Sequence, residues 1–229
     1  MTQKKIFPSL ICTDLLNLAD EVKNLEQIGC RMLHVDIIDG IFSPDMPLGI
    51  EMVKRLRKLT NMTFDAHLMS VNNSVYAELL LDSGVDRLCF HTEFEKRPII
   101  LLRKIKAAGV KAGIAISPET TVESVKYLLP LCDFVLLMRI DAGYAQLPGQ
   151  AVYPQTEEKI AKLKRYMEEY GISFEIEVDG RIGFSETEEL LRLGVDIFVS
   201  GTKGVFCPGN SRKENWERLQ EILRSSENV

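Results

Sequence analysis

The sequence predicts an α/β fold, an eight-stranded parallel β/α (TIM) barrel, formed by a single domain over residues 1–229. Short runs rich in Val, Ile, Leu and Phe alternate eight times with longer amphipathic runs. Because parallel strands need crossover connections, this alternation indicates a parallel sheet. Eight strand–helix units in 229 residues suit a small barrel. An open doubly wound sheet is the alternative, and the absence of G-x-G-x-x-G after the first strand disfavours it.

The predicted elements follow one another in strand–helix order. Each strand is an apolar run of four to six residues, and the strands are placed at 6–10, 32–36, 63–68, 87–91, 111–116, 134–138, 174–178 and 197–200. The helices are placed by their amphipathic spacing at 15–28, 50–59, 75–83, 98–108, 121–128, 156–170, 185–193 and 212–224. Several helices end at a glycine, as expected for a left-handed cap: Gly29, Gly84, Gly109, Gly171 and Gly194. Ser185 and Glu188 are predicted to form a capping box.

The composition is that of an ordinary globular protein, with 45% hydrophobic and 27% charged residues. A formal net charge of −5 gives no electrostatic footprint for nucleic acid, and no basic amphipathic or long apolar segment indicates a membrane partner. Five scattered cysteines without a C-x-x-C pair are expected to be free thiols in a reducing compartment. Pro8 and Asp14 interrupt the apolar run that a signal peptide needs, so we expect a cytoplasmic protein.

Two strand motifs carry most of the predicted chemistry. His34 and Asp36 are two residues apart, as are Asp65 and His67, and residues i and i+2 of a strand point to the same side. Imidazole and carboxylate groups together suit a borderline divalent metal. Asp179 ends a third apolar run and offers another carboxylate. Because barrel chemistry lies where strands end, we expect these groups to converge on one active site.

Taken singly, the neighbouring residues have simpler interpretations. His91 alone is expected to be a hydrogen-bonded core or surface residue. Met69 and Met138 alone would fill the core, and Asp179 with Gly180 alone would form a turn. Their shared placement at or just beyond the C-terminal ends of predicted strands favours a functional role.

Strand parity also predicts a carboxylate below the site. If Asp179 points inward, Glu177 does too, and Asp65 shares the face of His67. A buried carboxylate is costly unless it is paired. We hypothesise that Asp65 or Glu177 orients a metal ligand. The alternative is a structural ion pair with an inward-pointing Lys111.

The chain resembles the ribulose-phosphate 3-epimerase family, which includes the D-allulose-6-phosphate 3-epimerases, essentially from end to end. The segment from His34 to Pro44 resembles the family's H-x-D-x-M-D-G-x-F-x-P, and the segment from Asp65 to Met69 matches its D-x-H-L-M. Further matches are the opening Pro8-Ser9-Leu10, the seventh-strand segment Glu175–Asp179 with Gly180, and the phosphate-binding turn at 200–206.

The resemblance implies a β/α barrel, a homo-oligomer and one divalent metal ion held by His34, Asp36, His67 and Asp179. It implies that Asp36 and Asp179 are the acid–base pair, which moves the C3 proton of a phosphorylated ketose through a metal-stabilised enediolate. The residues that it implies for substrate binding are Ser9, His67, Met69, Met138, Gly143, Gly180, Gly201 and Thr202. The metal stays open between zinc, iron, manganese and cobalt.

Departures from the family pattern occur among the apolar residues that cover the substrate and in the phosphate site. Ile38 stands where the family usually has a third methionine beside those matched by Met69 and Met138. Asp141-Ala142-Gly143-Tyr144 replaces N-P-G-F, and the loop at 145–150 is about three residues longer than usual. Arg181 replaces the second glycine of D-G-G. We hypothesise that Arg181 or Lys203 contacts the substrate phosphate directly; the alternative is that both point to solvent.

The substrate inferred from the resemblance is D-allulose 6-phosphate, converted to D-fructose 6-phosphate. The segments at 12–16 and 201–206 look closer to the allulose-phosphate branch, and D-ribulose 5-phosphate is the alternative. A sugar-phosphate-binding paralogue without turnover is the alternative of another class. A barrel aldolase is disfavoured, because no lysine falls at a strand end beside the His and Asp residues.

Overall fold

The computed structural model describes residues 3–145 and 150–225, which form a parallel eight-stranded barrel. The predicted fold class is confirmed. The strands are β1 (Lys5–Pro8), β2 (Met32–Ile38), β3 (Thr63–Met69), β4 (Arg87–His91), β5 (Lys111–Ile116), β6 (Phe134–Met138), β7 (Glu175–Asp179) and β8 (Ile197–Ser200). The hydrogen-bonded order is β1-β8-β7-β6-β5-β4-β3-β2, and a parallel bridge between Ser9 and His34 joins the two ends.

Helices follow the strands on the outside of the barrel. They are α1 (Leu18–Gln27), α2 (Ile50–Arg57), α3 (Asn73–Leu81), α4 (Pro98–Ala107), α5 (Val122–Val125), α6 (Gln155–Tyr170), α7 (Phe184–Arg192) and α8 (Arg212–Ser225). No helix within the described ranges is both long enough and apolar enough to cross a bilayer.

Several predicted boundaries and one predicted cap differ from the structure. The first strand ends at Pro8 and not at residue 10, since Leu10–Cys12 turns into a short 3-10 helix. The helix predicted at 15–28 opens with another 3-10 turn, and its α-helical part begins at Leu18. The capping box predicted for Ser185 is wrong, because α7 begins at Phe184 and Glu186 accepts the Gly183 backbone N–H at 3.1 Å.

The strands are buried on both faces, which explains why they are almost continuously apolar. In β2, Leu33, Val35 and Ile37 belong to the layer between the barrel and the helices, whereas Ile38 belongs to a cluster inside the barrel. The alternation that packs the aliphatic residues outward therefore turns His34 and Asp36 inward.

The lower part of the barrel interior is filled by an aromatic ring. A Cβ atom added to Gly113 of β5 would lie 2.6 Å from the ring of Phe134, so glycine is needed there for the ring to fit. The Arg87 guanidinium stacks on this ring, with its central carbon 3.9 Å from the centroid of Phe134. Packed side chains thus fill the barrel interior towards the N-terminal ends of its strands.

Candidate active site

Four side chains meet at the C-terminal end of the barrel, where the sequence placed them. The Nε2 atom of His34 and the Nδ1 atom of His67 each lie 3.2 Å from Oδ1 of Asp36. The same ring atoms lie 4.0 Å and 3.9 Å from Oδ2 of Asp179. One ligand atom from each residue lies within 4.8 Å of the others, so the four groups could surround a single ion.

The two aspartates have opposite electrostatic environments. Burial alone would raise the pKa of Asp36, but the charge and hydrogen bonds of His34, followed by those of His67, lower it well below its usual range. Burial, and then the neighbouring Asp36 charge, raise the pKa of Asp179 to about 7. Near neutral pH, and without a bound metal, the Asp36 carboxylate is therefore ionised, whereas Asp179 still holds its proton in part of the molecules.

The two imidazoles also differ. Burial would lower the pKa of His34, but Asp36, Asp65 and Glu177 outweigh burial and raise it well above the usual value. Burial lowers the pKa of His67, against a smaller opposing effect of Asp36. Both rings are fully buried.

Asp65 lies directly behind His34. Its Oδ2 atom is 2.8 Å from Nδ1 of His34, and Oε1 of Glu177 is 3.5 Å from the same nitrogen. Because a carboxylate accepts a hydrogen bond from Nδ1–H, Nε2 is the ring nitrogen of His34 that faces Asp36, and once deprotonated it can offer its lone pair to an ion. These contacts support the hypothesis that Asp65 orients a ligand.

Arg87, at the start of β4, is the cation that sequence reasoning missed. It donates to Asp65 at 2.7 Å, to Glu175 at 2.5 Å and to Glu177 at 2.9 Å. The expected partner Lys111 is instead exposed and lies 3.7 Å from Glu175. The signal was present in strand parity, since Arg87 shares a face with residues 89 and 91 of the same strand.

Ser9 is hydrogen-bonded to Asp36, one of the two predicted acid–base residues. Its hydroxyl donates to Oδ2 of Asp36 at 2.9 Å, and the residue is buried. Ser9 thus holds the Asp36 carboxylate on the side away from the histidines, and it also lines the adjacent cavity.

His91 is a buried, hydrogen-bonded core residue, as its simpler interpretation predicts. Its Nε2 atom lies 2.9 Å from Nε2 of His67, and its ring packs 4.8 Å from the ring of Phe42 between centroids. Thus the third histidine of the chain also contacts the site.

A cavity of about 370 Å³ opens beside the four-residue cluster, within the usual size range of small-molecule sites. Apolar side chains from three strands form one wall, and all are buried: Ile38, Met69 and Met138. Other predicted substrate-binding residues at this cavity are Ser9, Gly143, Gly180, Arg181, Gly201 and Thr202. His67 lies behind Asp36, in contact with its carboxylate.

Close backbone approaches explain the glycines around the cavity. Gly143 adopts φ +76°, and a Cβ atom there would lie 2.4 Å from the Ser43 hydroxyl, so the loops after β2 and β6 meet across the cavity mouth. Gly180 adopts φ +115°, a backbone conformation that favours glycine. A Cβ atom at Gly201 would lie 2.7 Å from Sγ of Cys12.

Arg181 and Lys203 both line the cavity. Arg181 adopts φ 56°, an uncommon left-handed conformation for a residue with a side chain, and its guanidinium donates to the Ala145 carbonyl at 3.2 Å. Lys203 lies 3.8 Å from Glu186. The loop at 145–150, which is predicted to be longer, falls partly on residues 146–149, and these lie outside the described residues. Asp141, in the segment before this loop, also lines the cavity.

Comparison with known proteins agrees with this geometry. Residues 5–206 match the sequence profile of the ribulose-phosphate 3 epimerase family. The chain belongs to the ribulose-phosphate 3-epimerase family. It is therefore an isomerase, a carbohydrate-phosphate epimerase.

Individual relatives of this epimerase extend over most of its length. The ribulose-phosphate 3-epimerase of Helicobacter pylori strain 26695 is 34% identical over 221 residues, which are 96% of this chain and 99% of the relative. That of Synechocystis is 33% identical over 199 residues, 86% of this chain and 85% of the relative. That of Chlamydia pneumoniae is 36% identical over 85% of both chains.

More distant solved structures share the fold of this epimerase. The 3-hexulose-6-phosphate synthase of Salmonella typhimurium superposes with a TM-score of 0.68 at 15% identity, covering 97% of this chain and 99% of that chain. A mutant tryptophan synthase alpha-subunit of Pyrococcus furiosus gives 0.62 at 15% identity, with both chains fully covered. At this identity the similarity concerns the barrel alone.

The donor set of the epimerase fits a divalent ion. Two imidazoles and two carboxylates offer the nitrogen and oxygen atoms that zinc, iron, manganese and cobalt accept. Asp65 contacts Nδ1 of His34, which turns the other ring nitrogen, Nε2, towards the cluster, as is usual for a metal-binding histidine. A second group that could hold an ion shares His34 with the first and adds Asp65 and Glu177. Both of these carboxylates already accept hydrogen bonds from Arg87.

Proposed function

We propose that this chain is a metal-dependent 3-epimerase of a phosphorylated ketose, with D-allulose 6-phosphate as substrate and D-fructose 6-phosphate as product. The observation that carries the proposal is the meeting of His34, Asp36, His67 and Asp179 beside a cavity of about 370 Å³. Such a cavity is large enough for a small sugar phosphate.

Epimerisation at C3 begins with loss of a proton that the adjacent C2 carbonyl makes weakly acidic. Its removal places negative charge on the substrate oxygens. A divalent ion held by His34, Asp36, His67 and Asp179 would supply Lewis-acid stabilisation of that charge.

Two carboxylates are needed because a single base tends to restore the original configuration. Asp36 comes from β2 and Asp179 from β7, and β1 and β8 lie between these strands in the barrel. We propose that one carboxylate removes the C3 proton and the other returns a proton to the opposite face of the sugar.

The apolar wall protects the reacting carbon from water. Met69 and Met138 are buried beside the cavity, and Ile38 continues the same surface. We propose that these side chains cover the substrate at C3, because excluded water cannot protonate the intermediate at random. Ser9 holds Asp36 in position through its 2.9 Å hydrogen bond.

The phosphate end of the cavity is formed by short glycine turns. We propose that backbone N–H groups of Gly180, Gly201 and Thr202 bind the phosphate, with a charge-assisted bond from Arg181 or Lys203. Alanine substitution of either cation should then raise the Michaelis constant for the phosphorylated sugar. An unaltered constant in both variants would eliminate the direct contact.

The substrate proposal depends on the residues that line the cavity. Cys12, Thr202 and Lys203, which belong to the segments that resemble the allulose-phosphate branch, all lie at this surface. D-ribulose 5-phosphate is the second candidate, and the names of the relatives at 33–36% identity favour it. A coupled assay on both sugars after loading with each metal compares the two values of kcat/KM directly.

Incubation with each sugar phosphate in deuterated water tests the chemistry itself. The expected result is deuterium at C3, seen as loss of the C3 proton signal, together with the epimeric product. Chelated protein provides the control for metal dependence. Absence of exchange with every candidate ketose phosphate would instead favour a sugar-phosphate-binding paralogue without turnover.

We also propose a cytoplasmic location and a homo-oligomeric state. All five cysteines lie in the described ranges and are free thiols, which suits a reducing compartment. Adjacent helices α3 and α4 expose Val75, Leu79 and Ile100, apolar side chains of the kind that subunit contacts bury. Light scattering after size-exclusion chromatography measures the assembly.

A further inference from the structure

A line of polar groups runs from His67 away from the two aspartates. Nε2 of His67 lies 2.9 Å from Nε2 of His91. On the other side of the His91 ring, Nδ1 lies 3.1 Å from the Ser117 hydroxyl and 3.4 Å from Oε2 of Glu93. Both rings are fully buried, so protein groups determine where their protons sit.

The contacts of His67 restrict the tautomer that can bind a metal. Its Nδ1 atom is the one that faces Asp36 and Asp179, so Nδ1 must offer its lone pair to an ion. The ring proton then sits on Nε2 and is donated to His91. His91 accepts through Nε2 and carries its own proton on Nδ1, where an acceptor is required.

Two acceptors face Nδ1 of His91, the Ser117 hydroxyl at 3.1 Å and Oε2 of Glu93 at 3.4 Å, and Glu93 is the one that carries a charge. Its Oε1 atom accepts the Ser117 backbone N–H at 3.1 Å and the Thr120 hydroxyl, which leaves Oε2 towards His91. Lys159 fixes the same loop by donating to the Ser117 carbonyl at 2.7 Å. Burial would raise the pKa of Glu93, but its hydrogen bonds, with that to His91 the largest, outweigh burial and lower it to about 2, so the carboxylate is ionised and only accepts.

We propose that Glu93 is a positioning residue that acts through His91 to present the Nδ1 lone pair of His67 to the metal. This inference rests on the metal site of the proposed function. It gives the second histidine the same kind of support as the first, since Asp65 contacts His34 directly. The difference is that one additional imidazole lies between the carboxylate and His67.

The Glu93→Gln variant replaces the acceptor that faces Nδ1 of His91 with a donor of nearly the same size. It should therefore reverse the direction of hydrogen-bond donation between His67 and His91. With the amide oxygen retained towards Ser117 and Thr120, the amide N–H₂ faces His91 Nδ1 and favours a His91 proton on Nε2. That tautomer places the His67 proton on Nδ1, where it blocks ligation. Zinc affinity is expected to fall about 10- to 100-fold, the usual effect of losing a carboxylate behind a metal-binding histidine.

A matched variant separates this role from a merely structural one. Glu95→Gln makes the same charge change two residues along, on a carboxylate that accepts the Arg97 backbone N–H. It is expected to bind zinc like the wild type. Zinc affinity is measured by competition with a chromophoric chelator on the full chain, and thermal unfolding of the metal-free proteins reports on folding.

A nitrogen spectrum of the wild type gives a second readout that needs no variant. The chain has only three histidines, so long-range proton–nitrogen correlations of the zinc-loaded protein can be assigned. The expected pattern has the His91 proton on Nδ1 and the His67 proton on Nε2.

The outcomes distinguish this inference from the proposed function. Wild-type zinc binding with unchanged affinity in Glu93→Gln, an equal loss of affinity in Glu95→Gln, or a His91 proton on Nε2 would each overturn the role of Glu93 and leave the metal site intact. If Glu93→Gln fails to fold, the wild-type spectrum decides. A wild-type protein that binds no zinc, iron, manganese or cobalt would overturn both.

Discussion

The Arg87→Met variant tests whether one buried cation holds together the layer beneath the active site. The Arg87 guanidinium donates to Asp65, Glu175 and Glu177 at 2.7, 2.5 and 2.9 Å. The side chains of Asp65 and Glu177 are fully buried, and that of Arg87 is 4% exposed. Methionine has a comparable length and fills the space, so the change removes charge more than volume.

The expected loss of stability can be estimated from these contacts. A buried hydrogen bond to a charged group contributes about 1.5–3 kcal/mol. Glu175 keeps Lys5 at 2.7 Å, so we count only the bonds to Asp65 and Glu177. Two such bonds give about 3–6 kcal/mol at pH 8, in line with the effect of breaking a buried ion pair. A typical domain is stable by about 5–15 kcal/mol, so the variant is expected to fold but to be much weakened.

The pH dependence has a definite sign. Burial would raise the pKa of Asp65, but Arg87 and His34 outweigh burial and lower it, so its contribution is present above the ordinary value of 3.8 and is lost on acidification. Burial, followed by the Asp65 charge, raises the pKa of Glu177 to about 7 even with Arg87 present. Without Arg87 both pKa values rise, and the variant loses stability as pH increases. The difference in free energy of unfolding between wild type and variant must therefore grow as the pH rises from about 4 to about 8.

Urea unfolding followed by the fluorescence of the single Trp216 measures this difference. The double variant Arg87→Met/Glu177→Gln is expected to recover part of the loss at pH 8, because it removes one of the unpaired carboxylates. A loss below about 1 kcal/mol at pH 8, the net worth of an ordinary hydrogen bond, would refute the reasoning. A loss that does not change with pH would refute it as well.

Three further predictions concern the site and its walls. Asp36→Asn and Asp179→Asn should each abolish epimerisation, yet each is expected to exchange the C3 proton of one epimer with deuterated water, as followed by proton NMR; exchange of both epimers by either variant would contradict the two-base mechanism. Gly113→Ala should destabilise the barrel by about 1–3 kcal/mol in urea unfolding, because its methyl group would meet the Phe134 ring at 2.6 Å. Arg181→Gly should stabilise the protein by about 1 kcal/mol through relief of its φ of 56°, while the Michaelis constant rises if Arg181 binds phosphate; an unchanged unfolding midpoint would exclude the strain.

The barrel and the central residues of the site could be predicted from sequence because their signals are local. Alternating apolar and amphipathic runs determine a β/α topology, and the i, i+2 spacing of His34 and Asp36 already places both on one face. Four strands, at 87–91, 111–116, 134–138 and 197–200, have the predicted bounds. The resemblance to a family then supplied Asp179 as the partner on a distant strand.

The remaining contacts depend on register and side-chain reach. Parity could place Arg87 inside the barrel, but nothing in the local sequence chooses Arg87 over Lys111 as the partner of Glu177. The structure decides this because Arg87 pairs with Asp65 across β3 and β4, whereas Lys111 lies at the exposed start of β5. The contact between His67 and His91 also depends on how two strands pair. Nothing in the sequence of β3 or of β4 alone indicates that the two histidines meet.

Register also explains why the site and its support are inseparable. In the pairing of β2 with β3, His34 lies opposite Asp65 and Asp36 lies opposite His67. Each histidine therefore faces a carboxylate of the neighbouring strand, and a lower layer with Asp65 and Glu177 lies two residues before the layer with His67 and Asp179. A slip by one residue would turn both layers outward at once. The same two-residue step joins Glu177 to Asp179 on β7, so a substitution in the lower layer should alter metal binding without touching substrate.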